Sequence, residues 1–268
     1  MIAQLEIQAA CINGITFLKK CYCNTPFKIA NITEDKKDST LRLMLMSSSP
    51  GILDADEYKI AIHLEQHCSL QLHTQAYQRL FTMKDVATQH TELYMANNAA
   101  CCFIPHPVVP HRLSDFTSRN KIFLSADCSL VFGEILTCGR KLNGEVFSFS
   151  KYHSITEIFM NGKLVIKENL LIRPAFIPVG AIGQLEGFTH QASLIYLDEQ
   201  AEIKTLIPQL YKMLSPQQQI RVGITAAPVN GLIVRIMGQK AEQLFDCLKV
   251  IAGVLLQGNS IKPTAYAI

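Results

Sequence analysis

The chain has 268 residues, 49% of them hydrophobic, with 25 Lys plus Arg against 22 Asp plus Glu. This near balance, without a cluster of basic residues, gives no electrostatic case for a nucleic-acid partner. No apolar run reaches the ~18 residues of a membrane span, and the opening MIAQLEIQ lacks the basic flank and long apolar stretch of a signal peptide.

Short alternating segments dominate the first two thirds. Residues 41–46 (LRLMLM) are apolar on both faces after Arg42. Residues 58–64 set Ile60, Ile62 and Leu64 on one face, and residues 69–74 do the same with Leu70 and Leu72. Residues 122–124, 129–136, 145–150, 155–160, 163–166 and 169–172 continue the strand pattern. Asn143-Gly144, within LNGE, and Asn161-Gly162 accept the positive φ angles of a type I′ turn, so each predicts a hairpin. The first hairpin would bring Arg140 and Glu145 together across two strands.

Strand density without intervening helices excludes a doubly wound α/β sheet. There is no exact internal repeat to support a regular solenoid. Helical periodicity comes late. Residues 201–214 place Ile203, Leu206, Ile207, Leu210 and Leu214 at helical spacing around Pro208, which predicts a short or kinked helix. Residues 219–225 and 231–237 read as strands. Residues 241–256 form a clear helix with Leu244, Phe245, Leu248, Ile251, Ala252 and Leu255 in one stripe, and Gly258 with Asn259 as its stop. The tail, residues 262–268, has no periodicity and is expected to be mobile unless a partner holds it.

The chemistry is sparse. His63 and His67 are four apart, which suits a metal only on a helix, and their flanks alternate as a strand does. Cys68 and His73 therefore join no site with them. Cys21 and Cys23 have no second pair, and Cys101 and Cys102 point to opposite faces of a strand, so neither has zinc-ribbon spacing. The nine cysteines form no framework, and with no secretion signal they read as reduced thiols in a cytoplasmic chain. No nucleophile elbow, phosphate loop or dinucleotide fingerprint is present. His106, between Pro105 and Pro107, is a competent transition-metal ligand on a rigid backbone. Asp56 lies in the Pro-Gly loop, and Glu168 follows the apolar strand 164–166.

Four segments in order carry a resemblance: PGILDADEY (50–58), LQLHTQAYQRLF (70–81), FIPHPVVPHR (103–112) and EILTCGRKLNGEVF (134–147). With GLIVRIMGQKAEQLFDCLKVI (231–251) they resemble urease accessory proteins of the UreD (UreH) type over nearly the whole chain. That resemblance implies a mainly β fold, with stacked sheets in a β-helix-like arrangement and a small C-terminal α/β addition of about two helices. It implies a single domain over 1–268 with a helix-containing subregion at 199–258. It implies a non-enzymatic scaffold that conducts nickel during assembly of the urease metallocentre, with no tightly bound cofactor and transient Ni²⁺ only. Asp56 and Glu168 match acidic positions of the family and, with His106, are the expected nickel contacts. Gln75, Glu134, Arg140 and Glu145 fall in its structural or partner-binding motifs. The implied partners are a helical UreF-type accessory protein, a UreG-type GTPase and apo-urease, with no nucleic acid or membrane. The apolar run 171–185 suits a partner surface. This chain departs from the family at Ala55, where a glycine precedes the aspartate, and at His73, His106-Pro107 and Arg112. A carbohydrate-binding or carbohydrate-cleaving β protein is the competing reading. It would need exposed aromatics and paired carboxylates, and the chain has no tryptophan.

Overall fold

Period-two alternation runs through most of the chain. The computed structural model, which describes residues 1–256, converts it into long strands with two α-helices near the end. The fold opens with β1 (Ile2–Ile12), β2 (Ile15–Cys23), β3 (Phe27–Asn31) and β4 (Leu41–Ser47). Next come β5 (Glu57–Leu64), β6 (Ser69–Thr74), β7 (Gln78–Leu80), β8 (Ala87–Met95), β9 (Ala100–Phe103), β10 (Val108–Pro110), β11 (Asp115–Leu124) and β12 (Ser129–Leu136). β13 (Lys151–Met160), β14 (Lys163–Ile172) and β15 (His190–Asp198) precede α1 (Ile203–Leu214), β16 (Arg221–Ala226), β17 (Gly231–Gly238) and α2 (Ala241–Leu256).

The strands form two sheets. The first has the order β14-β13-β11-β8-β5-β1-β2; the second has the order β16-β17-β15-β12-β9-β6-β4-β3, with β10 paired to β12 and β7 paired to β10. Between β4 and β13 the chain passes back and forth between them. β5, β8, β11 and β13 pair in parallel in the first sheet, as β4, β6, β9 and β12 do in the second. Each coil adds a strand to each sheet, which is the β-helix-like stack expected from the resemblance. The coils share no repeated sequence because each level needs only the right inward parity, not a particular residue. Antiparallel pairs flank the parallel core, with β1–β2 and β13–β14 in one sheet and β3–β4 and β12–β15 in the other.

Inward residues such as Leu5, Ile7, Ile62, Leu72, Leu130 and Ile158 fill the space between the sheets. A second core lies on the outer face of the second sheet, where Val131, Leu194 and Val234 meet Leu210 of α1 and Leu244, Leu248 and Ile251 of α2. Gly133 permits this approach: a Cβ there would lie 3.2 Å from both Ile104 and Leu248. The stripe read in residues 241–256 is the buried face of α2. α1 continues through Pro208 and is tied to β16 by Tyr211 Oη, which accepts from Ile224 N at 2.8 Å. The stop expected at Gly258 and Asn259 and the tail 262–268 lie outside the described residues.

Two local expectations divide. Asn161 and Gly162 take φ of 49° and 79° and join β13 to β14, the hairpin that the sequence predicts. The LNGE segment makes no hairpin. Lys141–Asn143 is a 3₁₀ turn, Gly144 has φ 77°, and residues 145–150 form no strand. After β12 the chain must cross to the other sheet to begin β13, so a return to β12's own sheet is not available. Arg140 and Glu145 do meet, as a bidentate ion pair closing the turn.

On the outer face of the first sheet, His63, Tyr94, Phe123 and Phe159 occupy in-register positions on four strands and stack with centroids 4.8–5.1 Å apart. The rings cover one another's faces, so they do not offer the open aromatic platform that a sugar needs. The run 171–185 leaves Phe176, Ile177 and Ile182 exposed but buries Val179 and Leu185. It is also not free of charge, since Arg173 lies over the Phe176 ring at 5.7 Å.

Candidate functional site

Parity decides what the inter-sheet space contains. On β12, Leu130, Phe132, Glu134 and Leu136 share the inward face, which places a carboxylate among apolar side chains. Facing it, β13 turns Ser154 and Thr156 inward between Tyr152 and Ile158, and β11 turns Ser118 and Asn120 inward. The register aligns Thr91, Asn120, Thr156 and Glu168 in one row across four strands, with Gln89, Ser118 and Ser154 in the next. These polar rows border a cavity of about 350 Å³. A space of about 30 Å³ lies against β14 and β15, and Glu134 and Tyr152 line both.

Glu134 is therefore the carboxylate at the junction. It accepts from Ser154 Oγ at 2.7 Å, Thr156 Oγ1 at 3.2 Å and Asn120 Nδ2 at 3.3 Å. Burial pushes its carboxyl above the usual range, and these three donors work against that rise. Burial also pushes the Tyr152 phenol far up, with Glu134 adding to the effect. A cation here would meet the Glu134 carboxylate among neutral hydroxyls and an amide, with Glu168 close enough to raise the Glu134 carboxyl pKa further.

The expected nickel contacts are dispersed. His106 lines the larger cavity, as do Gln75 and Arg79. Its Nδ1 lies 2.9 Å from Thr74 Oγ1, and its ring packs 4.5 Å from Phe245 of α2. Burial lowers its pKa, which keeps the imidazole neutral and a possible ligand at neutral pH. Glu168 lines the smaller space and is ion-paired with Arg235. Asp56 does not line either cavity. It is buried, accepts from Leu53 N at 2.9 Å and pairs with the amino group of Met1 at 3.1 Å. Gln75 sits at the exposed rim, while Arg140 and Glu145 lie outside both cavities.

His63, His67 and Cys68 do not converge, whereas half-buried His73 lies near enough to His106 for each charge to disfavour the other. His63 stacks on Tyr94, His67 takes a turn with φ 61°, and Cys68 is buried. Among the described residues no group of three or more His, Cys, Asp or Glu is arranged to hold a metal. The position of Glu134 was readable in principle, because it shares parity with Phe132 and Leu136 on a strand that the sequence predicts over the same residues, 129–136. Among the described residues no helix is long and apolar enough to cross a membrane.

The family described as UreD urease accessory protein matches residues 1–265. A urease accessory protein UreD of Flavobacterium johnsoniae is 45% identical over 94% of this chain and 91% of its own length. The UreD of Acetivibrio thermocellus is 33% identical over 94% of this chain and 97% of its own, and that of Actinobacillus pleuropneumoniae serotype 3 is 32% identical over 92% and 94%. A family match across almost the whole length, with relatives covered nearly end to end, shows that this chain belongs to the UreD family of urease accessory proteins.

Proposed function

We propose that this chain is a non-catalytic scaffold in urease maturation and conducts Ni²⁺ through the space between its two sheets. The observation that carries this reading is Glu134, a buried carboxylate lining both cavities and held by three neutral donors. Passage needs ligands that exchange; a closed cage of four cysteines or histidines would trap the ion. His106 and Glu168 lie on the linings of the two spaces that Glu134 joins, so they are the flanking contacts of the proposed path. Asp56 acts indirectly, by fixing the loop that carries Gly51 into the cavity wall. Nickel is cargo here, and no cofactor is bound tightly.

The partners in this reading are a helical UreF-type protein, a UreG-type GTPase and apo-urease, in the cytoplasm. The GTP chemistry resides in the GTPase, since this chain has no phosphate loop. Co-expression of the four components with His106→Ala or Glu168→Ala tests the reading. The complex should still co-elute in size-exclusion chromatography while the nickel content of the purified urease falls. Full nickel loading with both variants would remove these residues from the path.

A further inference from the structure

Two thiols at an edge of the first sheet take no part in the cavity. β2 ends that sheet and pairs only with β1. Cys21 and Cys23 are two residues apart on it, so their side chains project from the same face, at the levels of Ile7 and Leu5. Of the nine cysteines, all free, only Cys21 is exposed; Cys23 is half-buried. Burial raises the Cys21 thiol pKa, and the nearby Cys23 raises it further, so Cys21 rests as a thiol at neutral pH.

Strand geometry separates what this pair can close from what it cannot. Two residues of strand at about 3.3 Å each put the Cα atoms about 6.6 Å apart. That is near the upper limit, about 6.8 Å, for an unstrained disulfide. An ion between the sulfurs replaces one S–S bond of about 2.05 Å with two metal–sulfur bonds of about 2.3 Å each, and so spans the pair without bending the strand. The donor count then selects the ion. No third His, Cys, Asp or Glu completes a ligand set among the described residues. A tetrahedral Zn²⁺ would keep half its positions on water. Copper(I) is soft, favours thiolates and is satisfied by two.

We propose that Cys21 and Cys23 form a two-thiolate site for copper(I) on the edge strand, separate from the inter-sheet cavity. On binding, two S–H bonds break, two Cu–S bonds form and two protons leave to solvent; copper stays +1 and no electron moves.

The test uses the reduced full-length protein under anaerobic conditions, with the copper(I)–bicinchoninate complex as the probe. Loss of its colour should report one copper withdrawn per chain, and X-ray absorption should show two sulfur neighbours. Cys21→Ser and Cys23→Ser should each weaken capture at least tenfold. Copper should also protect both cysteines of the unmutated protein from iodoacetamide, read by peptide mass spectrometry, which does not depend on how a variant folds. The double variant should leave nickel loading of urease unchanged. Full copper capture by the double variant, alkylation of both cysteines despite bound copper, or Zn²⁺ captured as tightly as copper(I) would each overturn the assignment. Loss of nickel loading in the double variant would overturn its separation from the cavity.

Discussion

Replacing Glu134 with glutamine removes one charge and almost no volume. The amide oxygen still accepts from Ser154 Oγ, a contact now at 2.7 Å. The new N–H group falls near Thr156 Oγ1, which already accepts from Asn120 Nδ2 at 3.0 Å and has a second lone pair for it. The Thr156 hydroxyl, which donates to the other Glu134 oxygen, loses that acceptor, so the variant should be destabilised by about 1–3 kcal/mol. The loss to a passing cation is larger. Two unit charges about 4 Å apart, at an effective permittivity of about 20, attract by about 4 kcal/mol, and a dication doubles that before desolvation is counted. If only half of the single-charge figure survives as a raised barrier, transit slows about thirtyfold, because about 1.4 kcal/mol is a factor of ten. The assay loads the nickel-bearing GTPase into the assembled complex and follows nickel arriving in apo-urease over time. Glu134→Gln should give an intact complex, a melting temperature lowered by only a few degrees and a rate at least tenfold lower. A wild-type rate in a folded, assembled variant would refute the argument that this carboxylate carries the ion.

Three further outcomes follow from the fold. Leu248→Ala empties a fully buried position between α2 and the second sheet and should cost about 2–5 kcal/mol in urea unfolding. Ala55 stands at φ 57°, where its Cβ is crowded, so Ala55→Gly should leave urea stability level or raise it by up to about 1 kcal/mol; a clear loss would show the strain to be absent. His190 is depressed to about 4, chiefly by burial and then by Lys141. Its folded pKa lies below the unfolded ~6.5, so the unfolded chain binds the extra proton and the contribution is lost as pH falls from about 6.5 to about 4. Thermal melts over that window should fall with acid, and His190→Gln should flatten that part of the slope.

Much of the architecture is legible in the sequence, and the reasons are local. The helix read over residues 241–256 starts where α2 starts and is helical to the last described residue, because its apolar stripe is long and uninterrupted. The strand read over residues 129–136 likewise matches β12. Asn161-Gly162 turns as expected because two strands of one sheet flank it. The same dipeptide at Asn143-Gly144 misleads, because turn chemistry is satisfied equally well by a crossover between sheets. Which sheet a strand joins is set by contacts distant in sequence, and no short pattern encodes that. The same limit explains the site. The inward direction of Glu134 follows from parity, but its meeting with Ser154 and Thr156 depends on two sheets facing each other. Asp56 illustrates the reverse, since a carboxylate in the Pro-Gly loop can be consumed by a backbone N–H and an amino group.

The central claim is that nickel passes between the sheets, and the most direct measurement fills that passage. Ser118 is buried on β11 and lines the larger cavity. Ser118→Phe directs a ring into a space of about 350 Å³, which has room for it without displacing the core. The variant should fold, assemble with its partners and yield urease that contains little nickel. Urease loaded to the wild-type nickel content by an assembled Ser118→Phe complex would contradict passage through this cavity.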